Sequence, residues 1–288
     1  MAKGTEERLI QAIRKQTEKV TYFCLAENVL PDLTIHEIRK SFKRIRALLK
    51  FFPESVSETV QNYAKQIGGL AKLLTLARES TVNLQLFDKL CSESKLFTQQ
   101  KCKELRVFFA NENKRQITEL ISEKNILFKI KSFINDFETS LLRNLADPAV
   151  KIDVLKQIYF SYDKGYNLFS EIGKKYDAVK YHKLRKVMKT LLYQLEFAKV
   201  DQPKYFKLKA NTLRKIAEEL GYDHDLFIFQ SEIKNKIYNL NIDELRILEK
   251  QIKYLQESNF HKLFPRLKIF FKESPASFEK KIRLEYRF

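Results

Sequence analysis

Six glycines and six prolines in 288 residues are too few to punctuate a β-sandwich or to build the glycine loops of nucleotide-binding α/β folds. A chain this long with so few breakers has one main outlet, long helices. The apolar pattern agrees. Leu9, Ile10 and Ile13 open it, and Ile35, Ile38, Phe42, Ile45, Leu49 and Phe52 recur at the three- and four-residue spacing of a helix face. Breaks are expected from Asn28 to Asp32, at Pro53-Glu54-Ser55, from Ser92 to Ser94, from Asn111 to Asn113, at Asp147-Pro148, at Gly173, at Asp201-Gln202-Pro203 and from Gly221 to Asp223. Two of these read as capped helix starts: Thr34 with Glu37 three residues on, and Ser55 with Glu58. Hydrophobic residues are 44% of the chain, with 23 Phe and 13 Tyr, enough to fill a core and to exclude wholesale disorder. The expected fold class is all-α.

The net charge of +18 gives the surface a positive potential that suits polyanions: nucleic acids, anionic membranes or other phosphate-rich partners. Cys24, Cys91 and Cys102 cannot all pair within the chain and lack a CxxC spacing, which fits a reducing compartment. The first twenty residues carry charges where a secretion signal needs an apolar stretch, and no apolar run approaches the length of a membrane span. A cytoplasmic protein without a membrane partner is the expectation.

Comparison of the two halves shows a repeat. Ile35 to Phe52 resembles Tyr181 to Ala198, with a His, an apolar residue, an Arg, a Lys and a second Lys in register. Downstream, Leu76 to Val82 matches Leu220 to Leu226 at nearly the same distance from each His. The expected architecture is one domain over 1–288 with two related lobes, about 1–122 and about 123–288, each a four-helix bundle, packed about a pseudo-twofold axis.

At about 100° per residue, His36, Arg39, Lys43, Arg46 and Lys50 fall within an arc of about 80° on one helix. Lys40 and Arg44 fan outward from it, and the apolar residues occupy the adjoining arc. The second segment repeats the stripe with His182, Arg185 and Lys189, while Tyr193 and Glu196 extend its polar side. Like charges at these spacings repel, and phosphates relieve them well: Arg offers a planar fork, Lys a mobile charge, His a switchable donor. One such stripe is most simply a solvated face. Two in matching register favour a binding function, with the stripes facing one another across a cleft.

These residues resemble the signatures of the conserved histidine α-helical domain (CHAD) family. The first, His-x-x-Arg-x-x-x-Arg-Arg-x-Arg, is filled by His36, Arg39, Lys43, Arg44 and Arg46. The second, His-x-Leu-Arg-x-x-x-Lys-Arg-Leu-Arg-Tyr-x-x-Glu, is filled by His182, Leu184, Arg185, Lys189, Leu191, Tyr193 and Glu196, with Thr190 and Leu192 at two of its basic positions. An Arg-Asp-x-x-Val element appears as Arg78-Glu79-Ser80-Thr81-Val82, and a Leu-Gly-x-x-x-Asp element as Leu220, Gly221 and Asp225. The resemblance implies two pseudo-symmetric four-helix bundles and non-catalytic binding of inorganic polyphosphate, free or in granules, in a basic central groove or pore. It implies that His36, Arg39, Lys43, Arg44, Arg46, His182, Arg185 and Lys189 line the ligand site with Tyr193 nearby. The fuller first stripe is expected to contribute more than the second.

Arg106, in a basic segment running from Lys101 to Arg115, is a supporting candidate if it is aimed inward. His224-Asp225 resembles a metal-phosphohydrolase pair, but the chain has four His in all, and the pair reads as a turn and cap. His261 stays unassigned. No P-loop, nucleophile elbow or metal-ligand cluster occurs, so no enzyme activity, cofactor or metal is expected. Two rivals share the composition: an RNA-binding helical protein, with nucleic acid otherwise only a weaker competitor, and a helical scaffold for an acidic protein partner.

Overall fold

A computed structural model describes residues 4–53, 56–94, 96–145, 151–172, 176–199, 204–235 and 240–285. Among them every regular element is helical: α1 (Thr5–Leu25), α2 (Pro31–Leu48), α3 (Ser57–Leu73), α4 (Thr75–Glu93), α5 (Gln99–Thr118), α6 (Ile126–Leu145), α7 (Val154–Ile172), α8 (Ala178–Ala198), α9 (Tyr205–Asn235), α10 (Ile242–Phe270) and α11 (Pro275–Glu285). The all-α expectation holds.

Local chemistry sets the helix ends. Asp177 accepts from the Lys180 amide to start α8, Thr98 does the same for α5 with Lys101, and Asn241 and Glu244 form a reciprocal capping box on α10. α2 starts differently from the expectation. Pro31 occupies its first turn, where a missing N–H costs nothing, and Thr34 lies inside the helix, buried, with its amide bonded to the Leu30 carbonyl. The helix ends in a 3₁₀ turn, Leu49–Phe51.

The breaks at Asn28 to Asp32 and Ser92 to Ser94 fall at helix boundaries, with Pro31 and Asp32 already in α2 and Ser92 and Glu93 still in α4. Those at Glu54-Ser55, Asp147-Pro148, Gly173 and Asp201-Gln202-Pro203 lie outside the described residues. Two others do not exist. α5 runs through Asn111 to Asn113, because Asn113 turns inward and its amide oxygen accepts from Ser80 and Thr81 at 2.9 and 3.0 Å. α9 runs through Gly221 to Asp223, because Leu220, Asp223 and Leu226 bury one face at helical spacing.

The main core joins α1, α2, α3, α6, α7, α8, the first half of α9, the end of α10, and α11, around side chains such as Phe42, Ile134, Tyr162, Leu184, Met188 and Phe278. Each large apolar group removed from water there contributes about 1.5–3 kcal/mol. A smaller core joins α4, α5, the end of α9 and the start of α10 through Phe87, Phe109, Phe229 and Ile252. α6 follows a turn whose Asn125 takes φ 47°, a conformation Asn tolerates, and packs on α1 and α3. Gly165 marks the tightest approach: a Cβ there would come within 3.1 Å of Phe271 and 3.5 Å of Met188 Sδ. α11 is latched by Glu273, whose carboxylate accepts from Lys209, Tyr205 and Lys281, with Lys209 set among the rings of Tyr162, Tyr205, Phe270 and Phe278.

Candidate functional site

The repeated segments meet in space. α2 packs on α8, and α4 packs on both α2 and α9, so both basic stripes and both downstream markers border one region. A buried network fixes its edge: Thr81 donates to Asp32 at 3.0 Å and to Asn113, tying α4 to the start of α2 and to α5.

Lys43 stands at the centre, flanked by Arg39 on its own helix and by Arg185 and Lys189 of α8. Arg39 also faces Arg78 of α4, and Arg78 faces Asp225 of α9. Burial, reinforced by the charges of Arg185, Arg39 and Lys189, pushes the Lys43 ammonium down to about 7 against the pull of Asp225. Burial is also the main cause of depressed values at Arg39, Arg78, Arg185 and Lys189. Two carboxylates, Asp225 and Glu79, stand among these five cations, while Asp32 acts on Arg78 and Glu218 and Glu196 act on Lys189 from the edge. Asp225 acts on Arg185, Arg78, Lys43 and Lys189 together, and Glu79 acts on Arg39; burial raises both carboxyls.

Local ion pairs do not discharge this cluster. They run from Glu37 to Lys19 and Lys40, and from Glu196 to Arg44 at 3.1 Å and Arg214 at 2.8 Å; among the described residues none reaches Lys43, Arg78, Arg185 or Lys189. The Arg185 Nε is a buried donor with no hydrogen-bond partner. Such a group costs about 1–3 kcal/mol while it stays unmet.

The other expected residues are placed as follows. Arg39 donates through Nη1 to the Ala71 carbonyl and to Thr75 Oγ1, so part of its fork is spent on the α3–α4 junction. Arg44 lies over the Tyr193 ring, 5.3 Å from its centre, and Tyr193 is buried beneath it. Arg46 is exposed and lies against Gly68. Lys50 sits near Arg46 and Lys164 of α7; partial burial and those charges lower its pKa. His36 and His182 are lowered, first by burial, then by Arg78 for His36 and by Lys186 and Arg185 for His182, so both are mainly neutral at pH 7. Arg106 is not aimed inward: its side chain is 57% exposed and pairs with Asp88. Leu192 is a core residue, and Thr190 bonds back to the Lys186 carbonyl.

His224-Asp225 is not a turn. Both residues lie within α9. His224 Nδ1 is 3.0 Å from His182 Nδ1, with the rings 4.3 Å apart, and Asp225 is the main counter-charge of the cluster. Arg78, His224 and Asp225 are the site residues that sequence reasoning did not assign, although two of them stand in the quoted signatures. A surface depression at the end of α5, lined by Asn111, Lys114, Arg115, Thr118, Glu119 and Glu123, shares no residue with the cluster. Among the described residues no group of three or more His, Cys, Asp or Glu is placed to hold a metal ion, and no helix is long and apolar enough to cross a membrane.

No curated protein matches the sequence. The fold is similar to the crystal structure of the CHAD domain from the plant Ricinus communis, with a TM-score of 0.59 and 15% identity over 94% of this chain and 92% of that chain. At that identity the likeness speaks for the fold. A CHAD domain family model matches residues 11–234, a span that contains α2, α4, α8 and the cluster-bearing part of α9, and the chain therefore belongs to the CHAD domain family.

Proposed function

We propose that the chain binds inorganic polyphosphate, free or in granules, in the cytoplasm, and does not hydrolyse it. The observation that carries this reading is the cluster of Lys43, Arg78, Arg185 and Lys189, half-buried cations from three helices that lack an ion-pair partner among the described residues. A linear phosphate chain brings closely spaced oxyanions without bulky bases, so it can thread between packed helices and meet donors such as the Arg185 Nε. Arg46, Lys50 and Lys164 continue the positive track along α2. The family resemblance of both signatures adds support. RNA competes through its backbone alone and binds more weakly in this reading.

The test is titration with polyphosphate of graded length against RNA at equal phosphate concentration, repeated over a range of salt. About five phosphate contacts correspond to a slope of roughly −4 in log K against log salt. A salt-insensitive isotherm, or tighter binding of RNA, overturns the proposal. Orthophosphate released above a protein-free control in Mg²⁺, Mn²⁺ or Zn²⁺ overturns the non-catalytic part.

A further inference from the structure

His182 presents a chemical problem. An imidazole that meets an anion must offer an N–H, yet this ring is held neutral by burial and by the neighbouring Lys186 and Arg185. A neutral imidazole has one N–H, so its tautomer decides whether the second nitrogen is a donor or a bare lone pair. Its Nδ1 is fixed by geometry, 3.0 Å from Nδ1 of His224 across the α8–α9 contact. Only one proton fits between those two nitrogens in the neutral pair.

We propose that His224 is a positioning residue: its Nδ1–H donates to His182 Nδ1, and this holds His182 as the tautomer whose Nε2–H is offered to an oxygen of the bound phosphate chain. The choice of donor follows from the surroundings of each ring. His224 lies deeper among cations: burial first, then the nearby Arg185, Lys43 and Lys186, take its pKa to about 3. With Nδ1 engaged by His182, Nε2 is the nitrogen left to meet them. A lone pair there is attracted to ammonium and guanidinium groups, whereas an N–H would be repelled. That places the proton of His224 on Nδ1 and leaves His182 to accept at its own Nδ1 and donate from Nε2. The two rings are tilted by 34° with their centres 4.3 Å apart. Residue 182 is thereby a donor at pH 7 and above with no need to become an imidazolium.

The phosphate half of this inference rests on the function proposed above, but the tautomer does not, and nitrogen-15 NMR of histidine-labelled chain reads it directly. At pH 8 the free chain is expected to show His182 protonated at Nε2 and His224 at Nδ1. His224→Leu is expected to remove that preference and to raise the Kd for tripolyphosphate about 3–10-fold. His224→Asn, whose amide N–H can stand where the Nδ1–H was, is expected to restore most of both. Detection of His182 protonated at Nδ1 in the wild-type chain overturns the proposal and leaves polyphosphate binding untouched; so does a His224→Leu variant with unchanged tautomer and affinity. If His224→Leu does not fold, the wild-type spectrum and His224→Asn still decide. Failure of the wild-type chain to bind tripolyphosphate overturns the proposed function, while the spectrum of the free chain still decides the histidine pair.

Discussion

On α2, Arg39 is tied to the Ala71 carbonyl and Thr75, Arg44 to Glu196, and His36 stands beside Glu37. On α8, Arg185 and Lys189 form no ion pair among the described residues. The stripe with more basic residues is therefore the one whose side chains are more committed to holding the protein together. Of the two departures on the second stripe, Leu192 belongs to the core and Thr190 bonds back to the Lys186 carbonyl. Counting basic residues on a helix measures charge; what a ligand meets is the charge left over after folding. Lys43, Arg46 and Lys50 are the exceptions on the first stripe, without an ion pair among the described residues, and of these Lys43 stands beside Arg185 and Lys189 of α8.

The sharpest test of this contrast is a pair of double variants. Arg185→Gln with Lys189→Gln removes two uncommitted cations and is expected to weaken polyphosphate binding about 100-fold or more, at about 1.5–3 kcal/mol per charge-assisted contact. Arg39→Gln with Arg44→Gln is expected to lower the melting temperature more and affinity less. Calorimetric titration and thermal melting of both variants check this, and a larger affinity loss in the α2 variant restores the expectation that the first stripe dominates.

Lys43→Met comes next, with an expected affinity loss of about tenfold, one charged contact. Its pH behaviour is more telling. The folded-state value of about 7 lies below the ordinary 10.5, so the unfolded chain binds more protons between them and the ligand-free protein gains stability as pH rises from about 7 to about 9. A bound polyanion pulls the proton back onto Lys43, so affinity falls over the same window and binding takes up protons. Lys43→Met is expected to flatten both trends. If it does not, the proton belongs to other groups. Below pH 7 His36 adds to binding in the same direction, because an adjacent anion raises its pKa.

Glu196→Gln is a smaller perturbation of opposite sign. It frees Arg44 and Arg214, so affinity is expected to rise about threefold while stability falls by about 0.5–1.5 kcal/mol, the worth of partly exposed charged hydrogen bonds. Loss of affinity instead would mean that Glu196 orients Arg44 for the ligand. The least effect is expected for Arg106→Ala: with its side chain exposed and paired to Asp88, affinity stays within about twofold. A larger change would return α5 to the site.

The helices and the meeting of α2 with α8 were legible because both rest on strong patterns, a 3.6-residue apolar period and two segments in matching register. Helix continuity at Asn113 and Gly221 was less legible, since residues that break helices in isolation are held there by tertiary contacts: a buried hydrogen bond from Ser80 in one case, and flanking buried leucines in the other. The commitment of Arg39 to a backbone carbonyl has no sequence signal at all. His224-Asp225 did carry a signal, but the premise of a turn at Gly221 hid it. Inside one long helix the same two residues point into the site.

The Glu273 latch bears on where this protein can be cut. The family match stops at residue 234, yet Phe270, Phe271, Phe278 and Ile282 lie beyond it in the same core as Tyr162 and Met188, and Lys209 finds its carboxylate partner there. A gene trimmed to the matched boundary would encode α7, α8 and α9 with much of their apolar cover missing, a product for the insoluble fraction. The sequence that identifies the family is shorter than the unit that folds.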